Sequence, residues 1–310
     1  MDTKKVINLA TERLNEMPGH IFDIISIKKP GTIETALNIS KIVSKLSPLV
    51  GNLIEFNTVD FLNKDLNFKG VGLWKRQDPG FPDTIFESNI KPTPGFEIKA
   101  WFPLATEITG RFKDSQDHFL QDQTYVTLIA WLPENVIYGK PKIIDVLIVS
   151  GISVAKARDA HYHNPPDYLV REPQDTTDRT ANLQQTNTNG YKIQLPQNIV
   201  RKQEILDRAN AIVSSWGHNG KNYLTTVEYQ HKLEELQGQF TYRLDTNFAK
   251  MGRIVHDEIN AFEKKVYNTE FKGKKIGEWN QLLSRGNEDV IKAALKEYLE
   301  INNLDKTSCT

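Results

Sequence analysis

The chain has 310 residues, of which 39% are hydrophobic and 25% charged, and its 39 basic and 39 acidic side chains cancel to a formal net charge of zero. This ordinary globular composition allows one large domain or two small ones. It excludes a transmembrane helix, because no run of eighteen apolar residues occurs, and the lone Cys309 excludes a disulfide framework or a cysteine-based zinc site. Any surface for a polyanion must therefore be a local cluster of lysine and arginine, invisible in the sum.

In chain order, Val6, Ile7, Ala10 and Leu14 recur at helical spacing, and Pro18-Gly19 ends that helix. The start, Met1-Asp-Thr-Lys-Lys, leads into this amphipathic segment rather than a signal peptide, so a cytoplasmic protein is expected. A second helix is predicted from about Thr32, with Ile33, Ala36, Leu37, Ile42 and Leu46 apolar. Ser47-Pro48 restarts it, serine as N-cap and proline as first helical residue. The new helix, about 48–62, is apolar nearly all round and is expected to be buried, with Glu55 as the acid in its middle.

Strand signals follow at 71–76, 83–87 and 95–101, the last two placed as a hairpin around Ser88-Asn89 and a Pro/Gly cluster. Segments 124–132 and 142–150 are rich in Val and Ile and read as central strands of one sheet. A helix is predicted over 153–160. From His161 to about Ile199 the chain turns polar, with only short strands near 168–171 and 191–194. Beyond Val200 it reads helical: Leu233, Leu236, Phe240, Leu244, Phe248, Met251, Val255, Ile259, Phe262 and Val266 predict one long helix or a pair broken at Gly238 or Gly252. The expected fold class is α/β, a mixed central β-sheet flanked by helices, with a helical C-terminal region.

The chemistry concentrates between Phe81 and Trp101. Asp83 follows Pro82, thirteen residues intervene, and Glu97-Ile98-Lys99 then lies inside an apolar strand. Side chains at i and i+2 of a strand share a face about 7 Å apart, so Glu97 and Lys99 point one way and Phe96 and Ile98 toward the core. A hairpin pairing 83–87 with 95–101 brings Asp83 to the same place. Two carboxylates, the Ile98 carbonyl and waters suit Mg²⁺, which prefers hard oxygen donors and keeps several waters. Lys99 can orient an attacking water or hold developing negative charge.

Pro82-Asp83, Glu97-Ile98-Lys99 and the upstream helix bearing Glu55 resemble the PD-(D/E)xK nuclease superfamily, and within it the type II restriction endonucleases. The likeness covers roughly 48–150. It implies a restriction-endonuclease-like core, metal held by Asp83, Glu97 and the Ile98 carbonyl, Lys99 acting at the water, and Glu55 as an auxiliary acid. On this reading 1–199 form the catalytic core with a polar recognition loop near 161–195, and 200–310 a helical region for packing, dimerisation or clamping DNA. The implied activity is Mg²⁺-dependent, site-specific hydrolysis of double-stranded DNA by a homodimer with no membrane partner. The alternatives are a repair or nicking nuclease of the same superfamily, or a non-catalytic DNA-binding protein.

The segment 178–191 is dense in Asn, Gln and Thr and is similar to the recognition loop of EcoRV-like endonucleases. Asn and Gln pair bidentately with adenine in the major groove, which makes Asn182, Gln184, Gln185, Asn187 and Asn189 the base-reading candidates. Arg111 and Lys113 are candidates for phosphate contacts, which position a duplex without reading it, as are Lys156 and Arg158. His161-Tyr-His163 reads as a polar pair rather than a metal site, and Trp216-Gly-His-Asn-Gly-Lys221 matches neither an HNH nor a P-loop pattern.

Overall fold

The computed structural model describes residues 1–77, 81–104, 108–110, 122–163 and 254–301, and between 164 and 253 the segments 170–173, 192–193, 202–216, 242–244 and 249–250 with residues 228, 231, 232 and 235. The elements are α1 (Thr3–Leu14), α2 (Ile33–Ile42), α3 (Ser47–Asn63), β1 (Leu73–Arg76), β2 (Thr84–Glu87), β3 (Gly95–Trp101), β4 (Thr109–Gly110), β5 (Thr124–Pro133), β6 (Pro141–Ser150) and α4 (Gly151–His163). They continue with β7 (Val170–Pro173), β8 (Lys192–Ile193), α5 (Lys202–Ser215), β9 (Tyr242–Leu244), β10 (Ala249–Lys250), α6 (Asp257–Asn268), β11 (Glu270–Phe271), β12 (Lys274–Lys275), α7 (Ile276–Arg285) and α8 (Glu288–Leu299).

The chain forms two compact units: one of 1–108, 119–151 and 257–310, the other of 109–118 and 152–256. The first is an α/β fold around a five-stranded mixed sheet in the order β1-β2-β3-β5-β6. Only the β3–β5 pair is parallel; the others run antiparallel. β5 and β6 are ten residues each and pair along their length, with an irregularity at Ala130/Trp131. Their near-continuous apolar runs match strands covered on both faces. In the second unit β7 pairs with β8 in parallel and β9 in antiparallel fashion, and β4 pairs with β10.

The helix α3 is what places the site. Gly51 faces Ala100 of β3, and a Cβ there would lie in ordinary contact, 3.6 Å from the Ala100 Cβ, so helix and strand lie side by side at this point. Farther along α3, Asn63 acts as a surrogate strand. Its Nδ2 donates to the Trp74 carbonyl and its Oδ1 accepts from the Trp74 N–H, both at 2.8 Å. This pins α3 to β1 while satisfying backbone groups on the outer edge of the sheet. Beneath them Phe68, Trp74, Phe86 and Phe96 form an aromatic cluster with successive ring centroids 5.1–5.8 Å apart. On the opposite face Trp101 meets Phe262 and Tyr267 of α6 at 6.0 and 5.4 Å between ring centroids.

Three expectations about helices are corrected. Ser47 is not an N-cap: its φ of −52° and ψ of −43° are helical, and one 3₁₀ turn, Val43–Leu46, carries α2 directly into α3. α3 is not buried all round, since Leu49 and Phe56 are 53% and 49% exposed. Nor does a single helix run from Leu233 to Val266: β9 and β10 occupy 242–244 and 249–250, and the helix that carries Ile259, Phe262 and Val266 begins at Asp257, while Leu233, Leu236, Phe240, Phe248 and Met251 lie outside the described residues. Asp245, Thr246 and Asn247 lie between those strands, and such residues favour turns over helix interiors. His161 and His163 lie at the end of α4.

Candidate active site

Asp83 lies one residue before β2, at the point where pairing with β3 stops. The last pairs are Thr84↔Phe96 and Ile85↔Gly95. Gly95 makes that end possible, because a Cβ on it would sit 2.5 Å from Pro82 Cγ and 3.0 Å from the Thr84 carbonyl. Pro82 therefore rests on the β3 backbone, and Asp83 is held over its edge. The Gln77 side chain secures the same corner by donating to the Pro82 carbonyl at 2.9 Å, while its N–H donates to the Asp83 carbonyl at 2.8 Å.

Beyond Phe96, the β3 backbone continues without a β2 partner, and Asp83 takes over the edge. Its Oδ2 accepts from the Ile98 N–H at 2.7 Å. In an extended residue N–H and C=O point to the same side, so the Ile98 carbonyl also faces the Asp83 side rather than β5. In return the Asp83 N–H donates to Glu97 Oε2 at 3.2 Å. Lys99 completes the group: its Nζ lies 3.3 Å from Asp83 Oδ2 and 2.5 Å from Glu97 Oε1. The structure thus brings together Asp83, Glu97, Lys99 and the Ile98 backbone.

Glu97 does not lie on a solvated face; it is only 7% exposed. Burial and the Asp83 charge raise its carboxyl above the usual range, with Lys99 opposing them. Burial alone would lower the Lys99 ammonium, but Glu97 and Asp83 outweigh it and hold it above its ordinary value. Lys99 is therefore a hydrogen-bond donor and a fixed positive charge at neutral pH, not a base.

Glu55 sits nearby but with a different direct partner. Its Oε2 lies 3.5 Å from Arg76 Nη2, and the Arg76 guanidinium stacks 3.9 Å from the Phe56 ring centre. Burial and the Asp83 charge raise Glu55 to about 7, against Lys99 and Arg76. Arg76 and Gly95 escaped the sequence reading. The signal for Arg76 was its i+2 spacing from Trp74, which shares its face only once β1 is known to lie against α3. Among the described residues no three His, Cys, Asp or Glu side chains converge on one point. The candidates Arg111, Lys113, Asn182, Gln184, Gln185, Asn187 and Asn189 lie outside the described residues. Lys156 is exposed on α4.

The raised carboxyl of Glu55 has a measurable consequence. It takes up a proton on folding between its ordinary 4.5 and about 7. A raised acid contributes stability that is fully present below the ordinary value and is lost as pH rises through the folded value. Glu55→Gln removes that loss. Discounted for partial solvent exposure, the variant gains on the parent by roughly 1–2 kcal/mol, or a few degrees in Tm, between pH 5 and pH 8. Thermal unfolding at both pH values checks this, and a difference that does not change with pH refutes it.

Among the described residues no helix is long and apolar enough to cross a membrane. Comparison of the chain with family models, curated proteins and solved structures found no match to any of them.

Proposed function

We propose that this protein is a Mg²⁺-dependent type II restriction endonuclease, hydrolysing phosphodiester bonds in double-stranded DNA as a cytoplasmic homodimer. The observation that carries the reading is the cluster at the unpaired end of β3, where one ammonium bridges two carboxylates at 3.3 and 2.5 Å. Carboxylates brought this close repel unless a cation lies between them.

The donor set fits magnesium. Asp83, Glu97 and the Ile98 carbonyl are hard oxygen ligands, and two carboxylates with waters satisfy Mg²⁺ without a third acid. When bound, the ion would polarise a phosphoryl oxygen and acidify a water. The residues of the chain supply the rest. Lys99, held charged, donates hydrogen bonds to the attacking water or to the charge building on the phosphate. Glu55, poised at about 7, exchanges a proton near neutral pH and acts as the auxiliary acid. Arg76 keeps the Glu55 carboxylate in place through its pairing and its stack on Phe56. Site choice falls to the Asn- and Gln-rich loop at 178–191, and a palindromic site to the two-fold symmetry of a dimer.

Incubation with a sequenced plasmid in Mg²⁺ tests this. The expected result is a discrete set of fragments whose mapped ends share one sequence. Cutting only at nicks, flaps or mismatches would replace the proposal with a repair nuclease, and intact plasmid would end it.

A further inference from the structure

The chain's densest basic run, Lys272-Gly-Lys-Lys275, with three lysines in four residues, plays no part in the cluster around Asp83. It forms the tip and returning strand of the hairpin β11–β12, in which Glu270 pairs with Lys275 and Phe271 with Lys274. The two tip residues are left-handed, Lys272 at φ 51° and Gly273 at φ 77°. That is the tight hairpin turn that asparagine or glycine fills most easily, and lysine stands in its first position. The hairpin is held from below. Phe271 is buried and its carbonyl accepts from Trp279 Nε1 at 2.7 Å. Tyr298 of α8 packs against Gly273, so closely that no side chain fits there, and lies 4.4 Å from the Lys274 ammonium. Lys272 and Lys275 are exposed, and none of the three lysines makes an ion pair among the described residues. Among the described residues, these ammonium groups stand on a hairpin anchored by Phe271 and Tyr298 with no carboxylate at ion-pair distance.

The position is informative. Glu97, Lys99 and Trp101 alternate onto one face of β3, opposite the Ala100 that meets α3. Trp101 contacts Tyr267 near the end of α6, and β11 begins three residues later. The hairpin therefore follows the helix that meets Trp101, on the face of β3 that also carries Glu97 and Lys99.

We propose that the hairpin β11–β12 is an interaction surface for the sugar-phosphate backbone of duplex DNA, holding the duplex on the side of the sheet that carries Glu97 and Lys99. The inference rests on the nuclease reading. Phosphate contacts of this kind are independent of sequence, so the recognition site need not be known to test it.

The test is fluorescence anisotropy of a labelled duplex of arbitrary sequence, over a salt series in EDTA. It compares the parent, the triple variant Lys272→Gln/Lys274→Gln/Lys275→Gln and a control, Lys4→Gln/Lys5→Gln/Lys28→Gln. Each phosphate contact contributes about 0.9 to the slope of log affinity against log salt, so the triple variant should lose roughly 2–3 from the slope and at least about tenfold in affinity at low salt. The control should lose neither. Lys272→Gln/Lys275→Gln, which keeps the Lys274–Tyr298 contact, replaces the triple if that variant fails to fold, with a proportionally smaller loss. Unchanged slope and affinity overturn the hairpin's role and leave the nuclease reading standing. A parent that binds no duplex at all overturns both. Slope loss in a protein that cuts nothing upholds the hairpin and overturns the nuclease.

Discussion

On the proposed nuclease reading, Asp83→Ala should abolish Mg²⁺-dependent cleavage of duplex DNA, a fall of at least about 10³-fold, and leave DNA binding intact. The size follows from removing the proposed metal ligand and the group that orders the site, where single charge-stabilising contacts already account for about 10²–10³. The Asp83 carboxylate has two tasks in the structure, its Oδ2 accepting from Ile98 N–H and from Lys99, while the residue's backbone N–H, which the substitution keeps, holds Glu97. Losing the acceptor for Ile98 costs stability of about 1 kcal/mol, too little to unfold a protein of this size. Asp83→Asn separates the effects, since the amide oxygen still accepts from Ile98 while the charge is gone. Cleavage should fall nearly as far, with the smaller stability loss. Gel assay of both variants, with Tm alongside, decides the matter, and a variant that still cuts sinks the assignment.

Lys99→Met has the largest expected effect on the fold itself. It leaves Glu97, buried, and Asp83 facing each other without the ammonium that now lies between them. Breaking a buried pair costs about 3–5 kcal/mol; partial exposure of Lys99 and Asp83 brings the expectation to about 2–3 kcal/mol at pH 8. The pH dependence has a definite sign. Glu97 is already raised in the parent, chiefly by burial, and without Lys99 it rises further. Stability from a raised acid is present at low pH and lost as pH rises through the folded value, so the variant approaches the parent near pH 5 and falls away toward pH 8. A divalent cation binding the same carboxylates should replace the missing charge. Added Mg²⁺ or Ca²⁺ should therefore raise the variant's Tm by more than the parent's. Chemical denaturation at the two pH values, with and without the cation, measures both effects. A variant as stable as the parent at pH 8 would show that the ammonium does not hold the carboxylates together. Destabilisation without rescue by any divalent cation would count against the metal site.

Much of the site was legible because strand chemistry is local. The alternation of Phe96, Glu97, Ile98 and Lys99 is a property of any extended backbone. The Pro/Gly-rich segment between 88 and 95 marks a reversal, and β2 and β3 pair as that reversal predicts. The Val- and Ile-rich runs at 124–132 and 142–150 became β5 and β6 with little change of boundary. Where the reading failed, longer-range packing had overruled a local pattern. Ser47 carries a good capping side chain, yet α2 runs on through a 3₁₀ turn, so no free N–H needs it. The apolar spacing after Leu233 suits a helix, but the described part of it contains two short strands whose partners, β7 and β4, lie far off in sequence.

The sequence by itself determined which residues carry charge, which segments are extended, and that Asp83, Glu97 and Lys99 come near one another around a reversal. Only the tertiary structure decided that Glu97 is buried, that Lys99 stays protonated, and that Glu55 answers to Arg76 and titrates near neutral pH. These are consequences of desolvation and of distances between strands and helices far apart in the chain. No local pattern encodes them. They depend on Gly95 admitting Pro82 to β3 and on Asn63 binding α3 to β1.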